Sequence, residues 1–212
     1  MKRMALFLIL PFFISAAYAQ NDPVFIFEQF LNGKIHFKNR SFTIVPMNYD
    51  AVNDKMYFKR DGTLMELVNL AAVDSVTWGR KVCFICHNGT FLEKVKLQHG
   101  NVFIHWQVKS VNIGSRGALG SITQAKVERV YSAGNGGTQN ADVYSLRNAN
   151  DYYLLLGGKY QKASTLKQIL KLFPEHRTSI EAFVEEKQTD FHKPMSVLEL
   201  LNYCLSIHKQ HS

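Results

Sequence analysis

Lys81-Val82-Cys83-Phe84-Ile85-Cys86-His87-Asn88-Gly89-Thr90-Phe91-Leu92-Glu93-Lys94-Val95-Lys96-Leu97 decides how the rest of the chain is read. Two runs rich in β-branched and aromatic residues flank Asn88-Gly89. That dipeptide suits a two-residue hairpin because both of its residues tolerate positive φ. The stretch therefore predicts a pleated antiparallel ribbon, on which residues three apart point to opposite faces.

Working outward, the same grammar repeats over residues 33–111. Asn32-Gly33, Asp61-Gly62 and His99-Gly100 supply further turn signals. Strand patterns occupy residues 34–38, 42–47, 55–60, 64–69, 74–78, 81–87 and 91–97. The clearest alternation is Val102-Phe103-Ile104-His105-Trp106-Gln107-Val108-Lys109, read as one half-buried strand with Val102, Ile104, Trp106 and Val108 inward. Short strands punctuated about every 8 to 12 residues predict a β-meander roll or small barrel. Residues 112–142 differ: six glycines stand among Ser, Thr, Asn and Gln, which predicts a long loop with one edge strand near residues 125–131. Gly134-Asn135-Gly136-Gly137-Thr138 lacks the following helix and the lysine of a phosphate-cradling loop.

Beyond residue 143 one more hairpin turns at Gly157-Gly158, and then the hydrophobic period changes from 2 to 3.6. Ser164 is placed as the cap of a helix with Leu166, Ile169, Leu170 and Phe173 inward. Pro174 and Pro194 open two more helices, as proline does where no intrahelical N–H is lost. Their stripes are Ile180, Phe183 and Val184, then Val197, Leu198, Leu201, Cys204 and Leu205. The fold expected is α+β: an antiparallel β domain over 20–111, a Gly-rich loop over 112–142, and a hairpin plus three helices over 143–212.

Residues 1–19 read as a secretory signal peptide. Lys2 and Arg3 precede an apolar run too short for the ~20 residues that span a bilayer, and Ala17-Tyr18-Ala19 offers small residues for cleavage. The expected location is periplasmic or extracellular, with no stable membrane insertion after cleavage. The 212 residues carry 25 Lys+Arg against 17 Asp+Glu, a formal charge of +8. With 46% hydrophobic residues and 12% aromatics the chain is no disordered tail. Its cations are scattered rather than clustered, which argues against nucleic acid; an exported basic protein meets an envelope protein, glycan or lipid instead.

Several of these stretches carry a resemblance: the signal peptide, Asn32-Gly33-Lys34-Ile35-His36-Phe37-Lys38, Val73-Asp74-Ser75-Val76-Thr77-Trp78-Gly79-Arg80-Lys81-Val82, the Tyr-rich hairpin, and Leu166-Lys167-Gln168-Ile169-Leu170-Lys171-Leu172-Phe173-Pro174. Together they resemble a family of uncharacterised exported β-rich proteins from Gram-negative bacteria. The resemblance implies an exported β domain with a small helical tail, and it supplies no activity and no catalytic residues.

The one string with chemistry is Cys83-Phe84-Ile85-Cys86-His87, the spacing of a c-type haem attachment site. Covalent haem needs both thiols at one porphyrin edge and His87 on the iron. On a strand Cys83 sides with Ile85 and His87, and Cys86 with Val82 and Phe84, so the thiols diverge. A redox pair needs a turn between the same two thiols, and a zinc site lacks a second ligand pair unless His99 or His105 falls into register. Three cysteines leave at least one thiol unpaired within the chain, and a Cys86–Cys204 disulfide is not predicted. If Asn88-Gly89 and His99-Gly100 are both two-residue turns, Cys83, Lys94 and His105 form a row that would favour a thiolate, the basis of a cysteine-dependent enzyme. His36 is expected on an exposed strand face. Trp78 and Trp106 are read as core fillers, with stacking on a glycan the alternative.

The reading that follows is a non-enzymatic binding or structural module with no catalytic residues, no metal and no cofactor. The alternatives are a haem electron-transfer protein through Cys83, Cys86 and His87, and an enzyme using Cys83 with His105.

Overall fold

The computed structural model describes residues 23–116, 122–123 and 142–209. The signal-peptide segment and residues 125–131 lie outside the described residues. A ten-stranded antiparallel sheet dominates. In chain order its strands are β1 (Leu31–Phe37), β2 (Phe42–Asp50), β3 (Lys55–Arg60), β4 (Thr63–Glu66), β5 (Val73–Trp78), β6 (Val82–His87), β7 (Thr90–Lys96) and β8 (Asn101–His105). The chain then leaves for a second sheet, in which β9 (Val108–Arg116) pairs with β10 (Ile122–Thr123) and β11 (Asp142–Asn148). It returns as the hairpin β12 (Asp151–Leu156) and β13 (Lys159–Lys162), with β12 laid beside β8. The order across the large sheet is β13-β12-β8-β7-β6-β5-β1-β2-β3-β4. Its two edges do not pair with each other, so the meander is an open sheet and the barrel alternative is not adopted.

Asp61-Gly62, Asn88-Gly89 and Gly157-Gly158 all turn with positive φ at both residues, as two-residue hairpins require. The other two turn signals are corrected. His99-Gly100 belongs to a wider loop, in which the Leu97 amide donates to the Gly100 carbonyl and Lys96 pairs with Asn101. Asn32 and Gly33 sit inside β1. Gly33 is there for close approach: a Cβ at this position would stand 2.6 Å from Met47 Sδ and 2.8 Å from Trp78 Nε1. The single strand expected over residues 102–109 is also corrected. It breaks at Trp106-Gln107, where the chain changes sheets. Residues 112–116, expected in a loop, extend β9.

Three helices follow: α1 (Leu166–Leu172), α2 (Arg177–Lys187) and α3 (Pro194–Lys209). Thr165, not Ser164, caps α1 by accepting from the Gln168 amide. Ser164 Oγ instead accepts from the Tyr152 amide and donates to Asp151 Oδ1, fastening the hairpin to the helix start. Pro174 opens a short 3-10 turn, and α2 begins only at Arg177.

Two cores result. One joins β8, β12 and the helices, with Ile104, Leu154, Ile169, Ile180, Leu200 and Leu201 fully buried. The other lies inside the curled half of the sheet around Met47, Tyr49, Met56, Val76, Trp78 and Phe84. The curl is sharp enough to bring the Tyr49 ring of β2 to 5.5 Å from the Phe84 ring of β6, although β1 and β5 stand between those strands.

Replacing Gly33 by Ala forces a methyl against Met47 and Trp78. The expected cost is about 1–3 kcal/mol, read as a lower urea midpoint with an unchanged slope. An unchanged midpoint would contradict the close approach.

Candidate functional site

The sheet change at Trp106-Gln107 gathers a cluster of buried polar groups. Here the β2–β3 turn folds across the sheet to meet the end of β8. The Val108 amide donates to the Ala51 carbonyl at 2.8 Å. The Tyr49 hydroxyl lies 2.7 Å from Asp54 Oδ1 and 3.1 Å from the Trp106 carbonyl, and donates to this pair of acceptors. Burial first, and the Asp54 carboxylate second, push the Tyr49 pKa upward, so the phenol keeps its proton. His105 Nε2 stands 3.1 Å from the same Asp54 oxygen but out of line for a good hydrogen bond.

The lead-in segment before β1 is tied to β2 alongside this turn. The Ile26 amide donates to the Tyr49 carbonyl, and the Ala51 amide to the Val24 carbonyl. Two buried polar side chains hold it further. Asn48 accepts from the Phe27 amide and donates to its carbonyl, while Asp50 Oδ1 accepts from the Val24 and Val52 amides.

Between this segment and the sheet change lies a cavity of about 360 Å³, within the size range of small-molecule sites. Phe25, Phe27, Ala51, Val82 and Val108 give it apolar walls, and Glu93, Trp106, Asn148 and Asn150 bring polar atoms to it. Glu93 is the unusual member. It alternates with Phe91 and Val95 on the core face of β7, and its cross-strand neighbours Phe84 and Ile104 are fully buried. Trp106 Nε1–H donates to Glu93 Oε2, the carboxylate's one hydrogen bond among the described residues. Desolvation pushes the Glu93 pKa up, and the Trp106 hydrogen bond opposes that in part.

The sequence-derived candidates sit elsewhere and apart. Cys83 faces Thr77 across β5, and Cys86 faces Phe91 across β7. The strand alternation that divides the two thiols is the arrangement observed, and all three cysteines are free. His87 lies with its ring 4.3 Å from that of Tyr160. Cys83, Cys86 and His87 form no ligand cluster among the described residues. The row of Cys83, Lys94 and His105 is corrected. The wider loop at residues 97–100 pairs Lys94 with Phe103, while His105 pairs with Asp151 and is buried against Asp54. Burial pushes the Cys83 thiol up, with Lys94 opposing only in part. His36 is half-buried, with Nε2 3.2 Å from Thr77 Oγ1. Trp78 is a core residue whose N–H donates to the Leu31 carbonyl. Trp106 is only half-buried and packs against both cores.

Sequence reasoning did not single out Glu93, although a signal was present: a carboxylate shares the parity of Phe91 and Val95 on an otherwise apolar strand face. Tyr49 and Asp54 carry no such signal, because their meeting with Trp106 and His105 depends on the curl of the sheet. Comparison with known families, curated proteins and solved structures finds no match.

Two measurements check this geometry. Tyr49→Phe removes the shared donor and is expected to cost about 1–2 kcal/mol in denaturant unfolding; no loss would mean that the hydroxyl holds nothing. Alkylation of Cys83 at neutral pH is expected to be slow and to quicken only as pH rises above the usual thiol range. Cys204, pushed up to about 12 by burial, reacts only on unfolding. Rapid labelling of Cys83 in mild acid would overturn the assignment.

Proposed function

We propose that the protein is a non-enzymatic, exported binding module, and that its ligand is a small amphiphile whose apolar body fills the cavity and whose cationic or N–H-donating end meets Glu93. The observation that carries this reading is the Glu93 carboxylate on a core face between Phe84 and Ile104, with one hydrogen bond among the described residues and an apolar cavity beside it. A carboxylate in such surroundings is costly to desolvate unless charge or hydrogen bonds compensate, and a ligand N–H group supplies both. Of the partner classes expected for an exported basic chain, a lipid-like molecule suits these walls better than a glycan. A sugar would need more polar partners than Glu93, Asn148 and Asn150 provide. Export itself rests on the signal-like residues 1–19 and on the resemblance to exported β-rich proteins.

Octylammonium and octanol, compared by titration calorimetry, test the reading. Octylammonium is expected to bind, and Glu93→Gln to weaken it at least about tenfold while leaving octanol unchanged. Because burial raises the Glu93 pKa, part of the population is protonated in mild acid and loses the charge that attracts the ammonium. Binding therefore strengthens from mildly acidic to neutral pH in the native chain and stays flat in the variant. Equal octylammonium affinity for both proteins, or none for either, would refute the proposal.

A further inference from the structure

The core-facing side of β1–β4 is closed by the roll, while its outer side carries the largest exposed apolar residues of the sheet. Phe42 is 57% exposed, Ile44 60% and Leu64 49%. The register puts them on one face. Phe42 pairs with His36 and Ile44 with Lys34, and both share the parity of Pro46, opposite to the buried Met47. Met47 pairs with Phe58, so Lys59 turns outward, and Lys59 pairs with Leu64. The three apolar residues are thus joined through Pro46 and Lys59 into one surface.

Lysines interleave with it. Lys34 Nζ sits 3.7 Å from the Phe42 ring centroid, and Lys59 Nζ 4.7 Å from that of Phe30. Lys38 and Arg40 stand exposed at the β1–β2 turn; Arg60 shares the parity of Phe58 and lies over its ring, so it belongs to the other face. Of the acidic residues on these two hairpins, Glu66 is bound to Lys55 at 2.8 Å and Asp50 is buried in its own loop; the exposed carboxylates nearby are Asp61, Glu28 in the lead-in segment and Asp74 on the neighbouring β5. Apolar side chains interleaved with lysines match the boundary of an anionic bilayer, where rings and aliphatic groups enter the headgroup region and ammonium groups stay at the phosphates.

We infer that the outer face of β1–β4, through Phe42, Ile44, Leu64, Lys34 and Lys59, rests on anionic lipid membranes as a peripheral contact. This surface lies on the side of the sheet away from Glu93 and does not depend on the cavity reading.

The test is co-sedimentation of the chain, residues 20–212, with vesicles of phosphatidylcholine mixed with phosphatidylglycerol, against phosphatidylcholine alone. Binding is expected only to the mixed vesicles and is expected to weaken with salt. Lys59→Gln lowers it roughly fivefold and Ile44→Ser roughly tenfold. Leu64→Ser repeats the second measurement at an independent position, and circular dichroism confirms that each variant is folded. Glu93→Gln leaves vesicle binding unchanged, which separates this surface from the cavity. Equal binding to both vesicle types, no binding, or binding insensitive to all three surface variants would overturn the inference. So would a dimer in solution that Ile44→Ser disperses, since the face would then be a contact between copies.

Discussion

The hydroxyl of Tyr49 sits where the sheet is drawn round on itself, and the curvature of the roll depends on it. A meander of ten strands twists but need not curl. Here the β2–β3 turn is held against the crossing from β8 to β9 by a main-chain bond, Val108 to Ala51, and by the Tyr49 donor shared between Asp54 and the Trp106 carbonyl. Because desolvation and Asp54 both keep the phenol protonated, it acts as a donor throughout the ordinary pH range. Each bond contributes only about 1 kcal/mol net. Their larger effect is geometric: they carry Tyr49 to the ring of Phe84 and close the apolar face of the curled half without a barrel ladder.

The other half of the sheet solves the same problem by a different route. There α1, α2 and α3 cover the strands, and Leu200, Leu201 and Cys204 on α3 are fully buried. The two solutions meet at Trp106, which packs against both cores. A chain that must serve two cores and change sheets within two residues leaves imperfect packing behind it. The cavity lies at that junction, bounded by the lead-in segment that Asn48 and Asp50 anchor.

Residue patterns made the fold class legible wherever the information was local. Asn88-Gly89 and Gly157-Gly158 demand their turns by backbone sterics alone, and the inward stripe of α3 from Val197 to Leu205 follows from its period. Readings failed where a distant partner decided. His99-Gly100 resembles a tight turn, yet the four-residue loop at 97–100 brings Gly100 against Leu205 of α3, and that shift moves His105 out of the row with Cys83 and Lys94. Asn32-Gly33 resembles a turn because sequence cannot show that the missing side chain makes room for Met47 and Trp78. The alternation of residues 102–109 hides the break at Trp106, since both sheets that share it are pleated with the same period. The same limit applied to the site: CxxCH stands out as a string, whereas the junction is assembled from six separate stretches of chain.

Glu93 is the point at which local consistency is broken. Every other residue on the core face of β7 obeys the apolar pattern, and Phe84 and Ile104 on either side would accept an aliphatic neighbour. A carboxylate there raises the cost of folding, because desolvation opposes its charge and the indole N–H of Trp106 offsets only part of that cost. Stability alone would favour Leu or Val at this position. A polar group kept against such a gradient, beside an apolar cavity and with hydrogen-bonding capacity to spare, is the pattern of a recognition residue rather than a packing residue. That is why the proposed ligand is defined by what Glu93 lacks among the described residues, a second donor with positive charge, and by what its neighbours offer, an apolar wall.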